Sequence, residues 1–254
     1  MKKAWIVAVN TFKESLRKRT LYILLVFAFI VIGASKFFSF LTAEEELKMI
    51  KDVSFSTIEF FGALIAIFGA IGALSGEIEK RTIYTLLTKP VTRGNLFIGK
   101  FLGMCLILLL NFVLISLFFI GLLIFKKSPP DIETFKTLLL IYVELVLIST
   151  ITLTVTTFAT DAFNIILSFF LYIVGHLISY GKQLTERVEN TILKGIGQII
   201  YTVVPNYENF AIRDKVVIGV SVSWNYVFKT LIYGVLYIAI VILIGLYFFQ
   251  KREV

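Results

Sequence analysis

Apolar residues fall along this chain in about six long blocks, near residues 21–41, 57–76, 97–125, 135–159, 162–180 and 230–249. A helix needs roughly 20 mainly apolar residues to cross a bilayer, and each block meets that length. The third is long enough to tilt or to begin outside the lipid. Only Thr160 and Asp161 separate the fourth from the fifth. Pro90, Pro129, Pro130 and Pro205 all fall between blocks, as expected of a residue that lacks an N–H and clashes inside helices. The pattern predicts an all-α integral membrane protein with about six spans, carried on one domain over residues 1–254. Residues 1–20 place Trp5, Val9, Phe12 and Leu16 on one helical face, with Asn10, Lys13, Arg17 and Lys18 off it. That stripe predicts an amphipathic helix lying in the headgroup plane, in preference to a cytoplasmic extension of the first span. Residues 181–229 are too polar to span twice. Within them Val188, Ile192, Ile196, Ile199 and Ile200 recur at helical spacing, which predicts a short amphipathic helix ending before Pro205.

Composition strengthens the membrane reading. The 254 residues are 58% hydrophobic and 17% charged, against about 45–50% and about 25% in soluble domains. The formal charge of +8 suits cytoplasmic loops and anionic headgroups better than nucleic acid. Lys2, Lys3, Lys13, Arg17, Lys18 and Arg19 precede the first span. Lys80, Arg81, Lys89, Arg93 and Lys100 cluster between the second and third. The positive-inside rule then puts both termini and the 77–96 segment in the cytoplasm, and residues 181–229 on the extracytoplasmic side. The basic stretch before the first span is too long and too interrupted for a signal peptide, so the span is expected to be uncleaved. The single cysteine, Cys105, excludes an intrachain disulfide and any multi-cysteine metal site.

The 77–96 segment carries the most information. Glu77 and Glu79 would favour the positive end of a short helix dipole. Arg81 and Thr82 follow, Leu86 and Leu87 form an apolar knob, and Pro90 breaks the helix. Thr92 is placed to cap a new helix whose first turn holds Arg93 and Asn95. An ordinary solvated loop needs no leucine pair, so a docking element is the better reading. This stretch, continued by Gly99-Lys-Phe-Leu-Gly103, resembles the signature of ABC-2 type permeases, in the branch used in nitrous oxide reductase maturation. Trp5-Ile-Val-Ala8, Pro205-Asn206 with Phe210, and the basic end of the last span are similar too. The resemblance implies a homodimer in the cell membrane, paired with two copies of a separate ATPase that binds ATP and Mg. It also implies that 77–95 is the coupling helix seated on that ATPase, and it leaves room for an extracytoplasmic accessory protein.

Other features have plainer readings. Gly94-Asn-Leu-Phe-Ile-Gly-Lys100 fits the start of a phosphate-binding loop, but Phe101 stands where Ser or Thr must hold magnesium and no strand precedes it. No cofactor is expected on this chain. Gly62, Ala66, Gly69, Ala73 and Gly76 form a small-residue face suited to a dimer seam or to packing within the subunit, and the family resemblance favours the seam. Ser149, Thr150, Thr152, Thr154, Thr156 and Thr157 are expected to satisfy themselves on backbone carbonyls. Glu144 is the strongest candidate for an intramembrane polar site. Structural packing is nevertheless the expected role of all three of Glu144, Glu59 and His176, the only histidine, and a lone His is no metal site. The function expected is that of a non-catalytic exporter permease. The alternative is an ion-gradient-driven carrier or channel centred on Glu144, which would be expected to show paired membrane charges or broken helices.

Overall fold

The computed structural model describes residues 2–35, 43–79, 92–186 and 191–251. Every regular element among them is helical. In chain order they are α1 (Lys2–Ser15), α2 (Arg19–Ala34), α3 (Ala43–Glu79), α4 (Arg93–Phe125), α5 (Ile132–Thr156), α6 (Asp161–His176), α7 (Ile178–Glu186) and α8 (Thr191–Val203). A 3-10 turn (Tyr207–Asn209), α9 (Arg213–Val217) and α10 (Trp224–Lys251) complete the order. Four helices are long and apolar enough to cross a membrane: the 45–76 part of α3, α4, α5 and α10. The first and fifth predicted spans correspond to α2 and α6, each 16 residues long. At 1.5 Å per residue such a helix is about 24 Å long, short of the roughly 30 Å hydrocarbon core.

Local chemistry explains the helix starts. Thr92 accepts a bond from the Asn95 amide at 3.3 Å and begins α4 where the sequence placed a cap. Asp131 does the same for α5, accepting from the Thr134 amide at 3.0 Å. α8 ends at Val203, just before Pro205, as the periodicity predicted.

α3 and α5 run against α4, whereas α10 runs parallel to α5; α5 is central and α10 mostly peripheral. α5 packs against α3 and α10, and α4 packs against α3. Pairs of polar contacts define the two ends of the bundle. At one end Lys18 Nζ donates to the Gly72 carbonyl, Ser75 Oγ donates to Asp161 Oδ1 at 2.5 Å, and Arg93 donates to the Gln250 carbonyl at 3.1 Å. At the other, Lys126 meets Glu46 at 2.5 Å and Lys51 meets Asp131 at 3.4 Å. α1 and the C-terminal turn of α10 thus lie at the same end as the two α3 and α4 termini that flank residues 80–91.

α1 packs along α4 by a face the large-residue pattern did not mark. Ala4, Ala8, Thr11 and Ser15 are buried, whereas Trp5 is 55% exposed. The receiving surface is Gly99 and Gly103. A Cβ on Gly99 would lie 2.7 Å from the Ala4 carbonyl oxygen, and one on Gly103 would lie 2.6 Å from that of Ala8. Two helices approaching this closely need glycine at the crossing.

Residues 204–217 fold back into the bundle instead of lying over it. Tyr207, Phe210, Ile212 and Val216 are all buried in the main apolar core with residues of α3 and α5.

Candidate functional site

Burying a charge costs several kcal/mol unless it is paired, so buried ionisable groups must be accounted for one by one. α3 brings in Glu59, α5 brings in Glu144 from midway along its length, and α6 brings in His176 as its last residue. The fold-back brings in Arg213 at the head of α9. His176 Nε2 lies 2.7 Å from Glu59 Oε1 and 3.3 Å from Glu144 Oε1. Arg213 donates to the second Glu59 oxygen at 2.9 Å and to Ser56 Oγ at 3.0 Å. Glu144 is fully buried, and neither of its oxygens has a hydrogen-bond partner among the described residues. Burial pushes the Arg213 pKa down. Glu59 first, then Asp214 at 3.5 Å, offset this, and the net shift is upward.

The neighbours hold the histidine in one pose. His176 Nδ1 lies 3.0 Å from the Tyr172 carbonyl, which can only accept, so Nδ1 carries the proton. The rings of Tyr172 and Tyr207 stand 4.6 and 5.4 Å from the imidazole, centroid to centroid. Gly175 lets the fold-back come this near, since a Cβ there would lie 2.8 Å from the Pro205 carbonyl oxygen and strike the Tyr207 ring. The fold-back is itself pinned. The Asn206 amide donates to Tyr233 Oη at 2.9 Å, the Asn206 side chain accepts from the Glu208 amide at 3.0 Å, and Tyr226 donates to the Asn209 carbonyl at 2.9 Å.

Glu144, singled out from the sequence, is therefore at the centre of a cluster rather than alone. Paired charges exist within the bundle, which the sequence did not reveal. Arg213 and Tyr207 were missed altogether. The available signal was that two isolated carboxylates in apolar blocks require a cation, and Arg213 lies in the polar stretch between Pro205 and the last span.

The other predicted residues are elsewhere. Glu77 and Glu79 belong to the last turn of α3, but their side chains lie outside the described residues, as do Arg81, Thr82, Leu86, Leu87 and Pro90 entirely. Arg93 reaches the last turn of α10 through Gln250. In the small-residue face, Gly62 sits against α5, where an added Cβ would lie 2.5 Å from Leu145 Cδ1. Ala66, Gly69 and Ala73 are buried and Gly76 is exposed. Most hydroxyls of α5 bond back as expected, with Thr150 donating to Val146 O at 2.6 Å, Thr152 to Ile148 O at 3.0 Å and Thr156 to Thr152 O at 2.9 Å, but Thr154 donates across to the Val241 carbonyl of α10 at 3.2 Å. Asn164 of α6 adds a cross-link, donating to Thr152 O at 3.0 Å and Thr156 Oγ1 at 2.9 Å.

An all-helical chain with four long apolar helices and buried, paired charges is a multi-pass protein of the cell membrane. It belongs to the ABC-2 family of transporter proteins, whose family model matches residues 5–254. It is similar to the "Probable ABC transporter permease protein NosY" of Pseudomonas aeruginosa strain PAO1. The two are 35% identical over 114 residues, covering 43% of this chain and 42% of that one. The protein of the same description from Stutzerimonas stutzeri is 33% identical over 118 residues, covering 43% of this chain and 41% of the relative. The matched stretch thus spans less than half the length of these curated relatives.

Proposed function

We propose that this chain is the membrane-spanning permease subunit of an ABC-2 exporter. In this reading it works as a six-span homodimer with cytoplasmic termini. Two copies of a separate ATPase bind and hydrolyse ATP with Mg, and this chain performs no covalent chemistry. Residues 77–95 form the coupling element. Glu77, Glu79, Arg81, Thr82, Leu86, Leu87, Pro90 and Arg93 present it to the ATPase, and closure of the ATPases is passed on to export cargo or to transmit force to the outer segments. Gly62, Ala66, Gly69, Ala73 and Gly76 supply close packing near the dimer axis, some of it within each subunit.

The observation that carries the reading is the whole-chain family match, over residues 5–254. The geometry around the coupling segment supports it. The α3 and α4 termini on either side of residues 80–91 are joined to the head of α2, to α6 and to α10 by Lys18–Gly72, Ser75–Asp161 and Arg93–Gln250. A push on the segment would therefore reach most of the bundle.

The test is a pull-down in mild detergent, wild type beside Leu86→Asp/Leu87→Asp, with ATPase activity assayed. Wild type is expected to retain an active ATPase and the double variant to lose it while keeping its own elution volume. A well-folded wild type that retains no ATPase across several detergents would defeat the assignment. The Glu59–Glu144–His176–Arg213 cluster then favours the second reading, an ion-gradient-driven carrier or channel centred on Glu144, because paired membrane charges are what such a protein requires.

A further inference from the structure

Three lone-pair donors converge inside the bundle with nothing of opposite charge between them. The Tyr172 carbonyl holds the His176 proton on Nδ1, which turns the Nε2 lone pair toward Glu59 Oε1 at 2.7 Å and Glu144 Oε1 at 3.3 Å. Lone pairs this close repel, so the arrangement demands a cation. A second proton on Nε2 would meet that demand by pairing an imidazolium with both carboxylates, and a metal ion held on the same three atoms would meet it as well. Nε2 nonetheless counts among the buried side-chain atoms without a hydrogen bond among the described residues, as do both Glu144 oxygens. A histidine nitrogen and carboxylate oxygens are ligands that zinc takes, at about 2 Å from the ion.

We propose that Glu59, Glu144 and His176 form a site for a borderline divalent transition-metal ion such as Zn²⁺, at the junction of α3, α5, α6 and the 204–217 fold-back. All three ligand atoms lie within 4.8 Å of one another. The surroundings match what a metal-bound histidine needs. Its other nitrogen donates to a backbone carbonyl, which fixes the ring and the tautomer. The Arg213 guanidinium and Ser56 hold the remaining side of the site, leaving one Glu59 oxygen for the ion. Glu144 is fully buried with neither oxygen in a hydrogen bond among the described residues, and Oε1 stands 3.3 Å from His176 Nε2, so it supplies a preformed acceptor beside the imidazole. Charge agrees with a dication. Two carboxylates against one guanidinium leave an excess of negative charge, and Asp52 and Asp214 add more around Arg213. Ions would enter beside His176 and Arg213, the partly exposed members, since Glu59 and Glu144 are buried. The proposal does not depend on the exporter reading, because it rests on the subunit's own side chains.

The experiment uses the full chain without an affinity tag, stripped with EDTA, desalted and loaded with Zn²⁺ alone. Metal per chain is measured by mass spectrometry and the Kd by competition with a chromophoric chelator. One Zn²⁺ per chain is expected, with a Kd at least tenfold weaker in Glu144→Gln and in His176→Ala and unchanged in the remote Glu14→Gln. A second readout needs no variant. The chain has a single histidine, so an imidazole signature in the X-ray absorption spectrum of the bound zinc identifies His176. Monodisperse wild type that holds no stoichiometric zinc overturns the site, and so does zinc bound with no imidazole in its shell. Undiminished binding in a folded Glu144→Gln variant would do the same. Each of those results leaves a cluster neutralised by protons alone.

Discussion

Arg213 shows how one side chain ties a loop to a membrane bundle. It answers Glu59, whose side chain is only 5% exposed, from a segment far away in sequence. Removing one member of a buried pair leaves the other charge uncompensated, which costs more than the pair contributes as a whole. Arg213 is about one-third exposed, so water offsets part of that cost. Arg213→Ala is therefore expected to destabilise the protein by about 2–3 kcal/mol, below the upper range for fully buried pairs. Glu59→Gln placed on that background should recover much of the loss, since a neutral amide no longer needs the guanidinium. Thermal unfolding of the four members of this double-mutant cycle measures the coupling. Strictly additive effects would mean the two side chains do not stabilise each other.

At the scale of elements, the α1–α4 crossing rests on backbone proximity rather than on large side chains. Gly103→Ala would put a methyl 2.6 Å from the Ala8 carbonyl oxygen, and backbone cannot step aside as a side-chain tip can. Overpacking of this kind costs about 1–3 kcal/mol. The expected result is a lower melting temperature and faster proteolysis within residues 2–15, with the rest of the bundle intact. An unchanged cleavage pattern would show that α1 is held some other way. The same crossing explains a limit of the sequence. Large apolar residues dominate a hydropathy pattern, so Trp5, Val9, Phe12 and Leu16 stood out, although of these only Trp5 is exposed and Phe12 and Leu16 pack against the core. The face that meets α4 most closely is made of small residues that hydropathy barely registers. The long helices, the Thr92 cap and the end of α8 before Pro205 were legible because each depends on local pattern. The charge cluster was not. Its members sit on α3, α5, α6 and α9, and they meet only because Gly175 admits the Pro205–Tyr207 fold-back. Nothing in their spacing encodes that meeting.

For the whole molecule, the two ends of the bundle are built differently, and this bears on how motion would pass through it. One end is closed by the inserted 204–217 segment and its charge cluster. The other is an assembly of helix termini tied by single polar contacts around residues 80–91, with α1 laid across α4 and Lys18 reaching α3 at Gly72. Under the exporter reading, α1 is then a brace that makes α3 and α4 move together when the coupling segment is pushed. Deleting residues 2–15 tests this. The four long apolar helices remain, so the shortened chain should still insert and should elute as the wild type does. The ATPase should still bind, because Leu86 and Leu87 are untouched, yet ATP hydrolysis in the complex should lose its dependence on the permease. Retained dependence in a folded, ATPase-bound deletion variant would show that α3 and α4 are coupled through α5 and α10, and that α1 serves only to cover the glycine face of α4.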